Sequence, residues 1–340
     1  MDHFTQMQVV VICTVVLAVV FDLTNGWNDA SNAIATVVGT RVLAPWTAIV
    51  FGAVLNFIGA FFSDAVARTV GKEIADPNVL NGSPSTYLAA VVVAPIWITL
   101  CTWRGLPISC SHSLMGGLIG SVLATAGVDD LNGHGIRKII FGVFVAPVGG
   151  FLLGMAILVA VSWVFKNMRI AKATRLFGKL QIASAGYMAF SHGTGDAQKA
   201  MGIITGALIA GGMQDASAGF HVQPWVRITC ATAMGVGSAI GGWAVMKTLG
   251  TRLAHLKPHQ GFAAEVGAAS TIVVNTLSGV PMSTTHSITG AILGVGAAHG
   301  WRTVRWGIGK KIVYAWVLTF PVCVAGGFLV LKGLRALGVA

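Results

Sequence analysis

The chain has 340 residues, of which 55% are hydrophobic and only 10% are charged. Soluble domains carry about 25% charged residues, so this composition excludes an ordinary soluble protein. Lys and Arg exceed Asp and Glu by 11, an excess that in a soluble chain would suggest a nucleic-acid partner. The basic residues instead fall between apolar stretches, as at 166–179, so they indicate the faces of a membrane and no nucleic-acid partner.

Apolar stretches recur along the whole chain, and a membrane span needs about 20 such residues. Long stretches lie near 7–25, 45–66, 86–103, 136–165, 224–247, 261–279 and 312–332. Shorter ones near 28–40, 113–127, 182–192 and 197–211 are interrupted by Gly and polar residues, which predicts half-helices or broken spans. Together they predict an all-α polytopic membrane protein with roughly 10–12 membrane-embedded segments, some of them broken or re-entrant.

One motif of eight residues occurs twice. The segment Leu106–Ser113 (LPISCSHS) returns as Val280–Ser287 (VPMSTTHS), 174 residues later. The same offset relates Thr102 to Thr276, and further matches follow in order along both halves. Two homologous halves are typical of secondary transporters. We predict a first transmembrane repeat at 1–165 and a second at 182–340, joined by a basic connection at 166–181.

The basic connection also predicts the topology. By the positive-inside rule 166–181 is cytoplasmic, whereas no Lys or Arg precedes the first span, which favours the opposite side for the N-terminus. Each half then crosses the membrane an odd number of times, so the repeats are inverted. This predicts a multi-pass protein of the inner (cytoplasmic) membrane with both termini periplasmic.

Each copy of the duplicated motif can break a helix inside the membrane and restart it. Pro107 and Pro281 predict the break, and the hydroxyls that follow can cap the restarted helix. A helix N-terminus attracts anions through free N–H groups and a partial positive charge. Two such ends meeting near the midplane would bind a tetrahedral oxyanion while the positive side chains stay outside the site. The predicted anion-binding residues are Ser109, Ser111, Ser113, Ser283, Thr284, Thr285 and Ser287.

A second related pair of segments carries carboxylates inside apolar sequence. Asn28 and Asp29 correspond to Gly195 and Asp196, 167 residues later. A carboxylate within a membrane is costly, which makes it a candidate functional residue. Two carboxylates beside an anion would repel it unless cations lie between them, which predicts uptake coupled to Na⁺ or H⁺. The predicted coupling-ion residues are Asn28, Asp29, Asn32, Thr194, Asp196 and Glu265, and no other metal is expected.

Other polar residues in the apolar segments allow two interpretations. Lys199 lies one helical turn after Asp196 and either neutralises it or leaves it free as an ion ligand. His112 and His286 either titrate or support the broken helices through hydrogen bonds. Asp22 falls near the end of a predicted span, as does Asp64, where water would reach both carboxylates.

Taken together, these motifs resemble the inorganic phosphate transporter (Pit) family. The likeness rests on Asn-Gly-x-x-Asp-x-x-Asn-Ala at 25–33, His-Gly-x-x-Asp-Ala-Gln-Lys at 192–199 and both Pro-x-Ser-x-x-His motifs. It implies an inverted-repeat transporter, often a homodimer, that moves phosphate with Na⁺ or H⁺; some relatives carry sulfate. It also implies coupling ions at Asp29 and Asp196, and an anion at Ser109, Ser111, Ser283 and Thr284. The family usually has Asn where this chain has Gly195, so one side-chain amide is missing.

The sequence therefore predicts a lipid-embedded symporter that imports inorganic phosphate, with a sulfate permease as the alternative and no resident cofactor. Rocking of the two halves would expose the site alternately. A passive anion channel would share the same fold. An intramembrane enzyme built on the motif histidines and aspartates lacks the close His spacing of zinc sites, so the prediction is a transporter and not an enzyme.

Overall fold

The computed structural model describes residues 3–77, 80, 83–215, 217 and 219–339. Within these residues the chain forms twelve α-helices. In the same residues an isolated antiparallel β-bridge joins Ala254 and Val304. The predicted all-α fold is confirmed.

The helices form two series with the same order of long and short members. The first series is α1 (His3–Gly39), α2 (Pro45–Gly59), α3 (Ala65–Arg68), α4 (Ser85–Trp103), α5 (Cys110–Thr125) and α6 (Gly133–Val164). The second is α7 (Ile170–Ala210), α8 (Pro224–Ile240), α9 (Trp243–Lys247), α10 (Pro258–Leu277), α11 (Thr284–His299) and α12 (Trp306–Ala336). In each series the short third helix continues as a π-helical turn, at Thr69–Glu73 and Thr248–Leu253.

Several helices are long and apolar enough to cross a membrane. In the described part of the chain these are α1 from Thr5 onward, α4, α6 and α12. The pair Pro224–Ile240 and Trp243–Leu253 also qualifies as one broken span or re-entrant loop, because it bends by 61°. On α6 and α12 large apolar side chains face outward, with Phe144 66% and Val317 68% exposed. Such surfaces are stable in lipid and not in water, which identifies a multi-pass membrane protein.

The packing of the helices mixes the two series. Helix α1 packs against α8, and α7 packs against α2. Helices α4 and α5 form a bundle with α12 of the second series, whereas α10 and α11 form the equivalent bundle with α6 of the first. Both large apolar clusters also draw on the two series: one contains Phe21 and Ile203, the other Ile34 and Ile272. The two series are therefore interlocked.

Two predicted breaks do not exist. The stretch 28–40 belongs almost entirely to the continuous helix α1, and 182–192 and 197–211 both belong to α7, which is 41 residues long. Their Gly and polar residues are tolerated because neighbouring helices supply hydrogen-bond partners. The basic stretch 166–181, expected as a connection, is helical from Ile170 onward. At about 60 Å, α7 is longer than the hydrocarbon core of a bilayer, about 30 Å thick.

The real breaks lie between α4 and α5 and between α10 and α11. Gly105 ends the first helix at φ 64°, and Gly279 ends the second at φ 69°. In each case the next N–H donates to a carbonyl five residues earlier, Leu106 to Cys101 and Val280 to Asn275. This is the Schellman geometry, which needs a left-handed residue. Glycine thus ends both helices, and the prolines follow in the linkers, where they prevent the helix from continuing.

Candidate functional site

The N-termini of α5 and α11 meet inside the protein. Ser109 and Ser283 are their N-caps and accept hydrogen bonds from the backbone N–H of His112 (3.0 Å) and His286 (3.2 Å). Ser111 Oγ donates to the carbonyl oxygen of Met282 at 2.9 Å, which joins the two helix starts directly. Two capped helix ends in one buried place provide the partial positive charge that favours an anion.

The remaining predicted anion-binding hydroxyls are all buried but face different partners. Ser113 and Ser287 donate back to the carbonyls of Ser109 (3.0 Å) and Ser283 (3.1 Å), so these two hydroxyls stabilise their own helices. Thr284 and Thr285 instead face the carboxylates of α1 and α7.

Asp29 on α1 is the centre of one polar group. Its Oδ1 accepts hydrogen bonds from Asn32 Nδ2 (2.7 Å) and Thr285 Oγ1 (2.9 Å). Asn32 Nδ2 also donates to Thr285 Oγ1 at 2.8 Å, and Asn28 Nδ2 donates to Thr102 Oγ1 at 2.5 Å. Among the described residues, the buried amide oxygens of Asn28 and Asn32 have no hydrogen-bond partner. Amide oxygens are hard ligands of the kind that bind Na⁺.

Asp196 on α7 is the centre of the second polar group. Its Oδ1 lies 2.5 Å from the ammonium nitrogen of Lys199. The same ammonium donates to Ser111 Oγ at the start of α5, and Lys199 is only 1% exposed. The expectation that positive side chains stay away from the predicted anion-binding hydroxyls is therefore wrong. The helical spacing of Lys199 and Asp196 places the ammonium beside the carboxylate, and its hydrogen bond to Ser111 joins it to the start of α5.

His192 lies between the two carboxylates. Its Nε2 is 3.4 Å from Asp196 Oδ2 and 3.9 Å from Asp29 Oδ2, and its Nδ1 is 2.8 Å from Asn56 Oδ1. Ligand atoms of Asp29, His192 and Asp196 lie within 4.8 Å of one another, close enough to share a cation. His192 is not among the residues predicted to form the site. The signal was available, because His192 precedes Asp196 by four residues and therefore shares its helix face.

Two other predicted coupling-ion residues have different surroundings. Thr194 donates its hydroxyl proton to the carbonyl of Phe190 (2.7 Å), within α7. Glu265 on α10 accepts hydrogen bonds from Thr36 and Ser184, and from Gln181 Nε2 at 3.3 Å. Among the described residues no hydrogen bond or ion pair joins Glu265 to either central aspartate. Glu265 thus forms a separate buried polar cluster between α1, α7 and α10.

The missing amide at Gly195 leaves a nearby threonine hydroxyl without a partner among the described residues. A Cβ at Gly195 would lie 3.0 Å from Thr276 Oγ1, whose hydroxyl is buried without a hydrogen-bond partner. Thr276 is the repeat counterpart of Thr102, the partner of Asn28. The hydrogen bond from amide to threonine therefore exists in the first repeat and is absent from the second.

The two motif histidines are in contact with each other. The rings of His112 and His286 lie 4.5 Å apart, edge to face, and His286 stacks on Trp316 at 3.6 Å. Trp316 Nε1 donates to the carbonyl of Pro107 at 2.9 Å. Both histidines line a largely apolar cavity of about 640 Å³ between α6 and α12. These contacts join the starts of α5 and α11 to each other and to α12.

Asp22 is not where it was expected. It was placed near the end of a span with access to water, but it is completely buried within α1, beside the thiol of Cys230. The cause is the length of α1, which continues far beyond the predicted end of the span. Asp64, in contrast, is 44% exposed and pairs with Arg227 at 2.5 Å.

Comparisons with known proteins agree on one family. Residues 25–327 match the sequence profile described as the phosphate transporter family. The chain is 40% identical over 314 residues to a "Probable low-affinity inorganic phosphate transporter" of Bacillus subtilis (strain 168), covering 92% of this chain and 94% of that protein. It is 42% identical over 309 residues to a protein of the same name from Rhizobium meliloti (strain 1021), covering 90% and 91%.

A solved structure described as "The sodium-dependent phosphate transporter" has the same fold. The TM-score is 0.87 at 24% sequence identity, and the alignment covers 96% of this chain and 99% of that one. The matching profile spans nearly all of the chain and contains every residue of the two polar groups and both helix starts. The chain therefore belongs to the phosphate transporter family, and it is a transporter and not an enzyme.

Proposed function

We propose that the protein is a symporter that imports inorganic phosphate into the cell together with Na⁺. One observation carries this proposal: two capped helix N-termini meet beside two buried carboxylates on α1 and α7. The first feature favours an anion and the second favours a cation, so each ligand makes the binding of the other more favourable.

The anion would bind at the starts of α5 and α11. Free N–H groups of the first helical turn, the hydroxyls of Ser109, Ser111, Ser283 and Thr284, and the ammonium of Lys199 would surround it. Phosphate matches this set of donors, and the phosphate transporters of Bacillus subtilis and Rhizobium meliloti are similar over nearly the whole chain. Sulfate has nearly the same size and shape and is the alternative substrate.

The cation would bind beside Asp29. Asn28 and Asn32 offer amide oxygens, and His192 points Nε2 toward both carboxylates when Nδ1–H donates to Asn56. Sodium is favoured over the proton by these neutral oxygen ligands and by the likeness in fold to a transporter that is called sodium-dependent. Glu265 is a second candidate carboxylate for the coupling ion, in its own cluster.

Alternating access would follow from inverted repeats at 1–165 and 182–340. The protein would be a homodimer in the inner membrane, with both termini on the periplasmic side. The moving units would be the two mixed bundles. One consists of α4, α5 and α12 and the other of α10, α11 and α6, so each takes helices from both repeats.

The decisive experiment uses purified protein in proteoliposomes. Labelled phosphate uptake is measured with an inward Na⁺ gradient, with an inward H⁺ gradient and with neither, and sulfate is added as a competitor. We expect accumulation above equilibrium with the Na⁺ gradient. Accumulation with the H⁺ gradient alone would assign the proton instead. Equilibration without accumulation would identify a passive channel and refute the proposal.

A further inference from the structure

The two carboxylates are held by matching groups of three residues. In the first group Asn32 donates to Asp29 and to Thr285. In the second Lys199 donates to Asp196 and to Ser111. The offset of 167 residues that relates Asp29 to Asp196 also relates Asn32 to Lys199, and the offset of 174 relates Ser111 to Thr285. Lys199 therefore occupies the structural position of Asn32 in the other half.

The matched positions differ in charge and in free ligand atoms. The first group, together with the neighbouring Asn28, offers two buried amide oxygens for which the described residues provide no hydrogen-bond partner, on Asn28 and Asn32. The second offers none, because Gly195 replaces the first amide and Lys199 the second. An unpartnered oxygen buried beside a carboxylate is a ligand atom left free for a cation, whereas an ammonium 2.5 Å from a carboxylate already supplies the positive charge.

We infer that the ammonium of Lys199 is a tethered cation that fills the second coupling-ion position, so that each chain binds one exchangeable sodium ion, beside Asp29. This inference rests on the proposed function and specifies its stoichiometry. A second sodium ion at Asp196 would have to lie against the ammonium in a buried site, where like charges repel strongly.

The same residue links the coupling position to the anion. Because Lys199 also donates to Ser111 at the start of α5, its charge is next to the predicted anion site whether or not sodium is bound. The carboxylate on the α5 side, Asp196, is therefore neutralised whether or not sodium is bound, whereas Asp29 on the α11 side is neutralised only when its ion arrives.

The test is equilibrium binding of labelled sodium to the purified full-length protein at saturating phosphate, counted per chain. We expect one sodium ion for the native protein, two for Lys199→Asn, none for Asn32→Lys and one for the variant that carries both changes. Lys199→Gln serves as a second variant that removes the ammonium from the position beside Asp196. Lys179→Asn, which removes an exposed lysine of the same helix, is the matched control and should still bind one.

Each result decides the inference. Two sodium ions on the native protein, or none, would overturn it without any variant. A single ion on both Lys199→Asn and Lys199→Gln, with the proteins monodisperse and still binding labelled phosphate, would also overturn it. Failure of the proposed function looks different: native protein that binds one sodium ion but does not accumulate phosphate in proteoliposomes refutes coupled import and leaves the role of Lys199 intact.

Discussion

The starts of α5 and α11 are built alike, whereas the helices that face them are not. Both starts follow a glycine in the left-handed conformation, both are capped by serine, and both place a histidine against the other. Opposite them, α1 presents two amides and one carboxylate, and α7 presents a glycine, a carboxylate and a lysine. The protein thus keeps the symmetry at the proposed anion site and loses it at the proposed cation site.

The difference indicates that the proposed anion site and the proposed cation site have different structural requirements. A tetrahedral anion held by two helix ends benefits from similar donors on both sides. The cation side needs only the correct total charge, which a side chain can supply as well as an ion can. Four variants test this distinction.

Asp196→Asn should have the largest effect, because it leaves Lys199 buried without its carboxylate. Removing one partner of a buried ion pair costs about 3–5 kcal/mol, so we expect both lower stability and loss of phosphate uptake. Thermal unfolding in detergent and uptake in proteoliposomes measure the two effects. Adding Lys199→Asn should restore part of the stability; an unchanged melting temperature in Asp196→Asn would show that the pair is not structurally important.

Asp29→Asn should abolish cation-driven uptake to background while the protein stays folded, because no buried positive side chain loses its partner. The same uptake assay and a melting curve provide the evidence. Asp64→Asn, at an exposed ion pair with Arg227, is the control and should transport normally. If Asp29→Asn still accumulated phosphate, the coupling ion would have to bind elsewhere, and Glu265 would be the next residue to test.

Ser109→Ala combined with Ser283→Ala should raise the apparent KM for phosphate. Each loss of an N-cap costs about 1 kcal/mol, and together they correspond to roughly 30-fold if both act on the bound anion. Ser113→Ala with Ser287→Ala is the control pair, because these hydroxyls donate to backbone carbonyls; its KM should change far less. Equal effects of the two pairs would argue against an anion site at the helix starts.

Gly195→Asn should have the smallest effect and the opposite sign. Helix propensity favours Gly195→Ala by about 0.5–1 kcal/mol, and the movement of Thr276, whose Oγ1 would lie 3.0 Å from the new Cβ, offsets part of this gain. The asparagine adds a hydrogen bond to the unpartnered hydroxyl of Thr276, like the one from Asn28 to Thr102. This hydrogen bond should stabilise the protein by about 0.5–1.5 kcal/mol more. Melting curves of both variants measure the gain. An asparagine variant less stable than the alanine variant would mean that the second half has no room for the amide.

The duplicated motifs were enough to predict the central geometry. Equivalent residues in homologous repeats occupy equivalent positions, so the recurrence of Pro107 and Ser109 as Pro281 and Ser283 predicted two similar helix starts, and the structure brings them together. The carboxylates were found for a different reason: few acidic residues occur in this chain, and those inside apolar stretches must have buried partners.

Most of the central contacts that the sequence did not predict cross between helices. Whether a polar stretch breaks a helix depends on partners far away in sequence, as with Asn28 and Thr102 in the continuous helix α1. The reach of Lys199 to Ser111 is of the same kind, and so is the position of His192 beside Asp29. Local spacing shows which residues share a helix face, but it does not show which face meets which neighbour.

The exchange of α6 and α12 between the two bundles has a consequence for how the chain could be divided. If the chain were cut between 165 and 170 and the two pieces were made separately, each piece would hold two helices of one bundle and the third helix of the other. Neither piece could complete a bundle by itself. Two such fragments should be unstable alone and should complement each other when they are made together in one membrane.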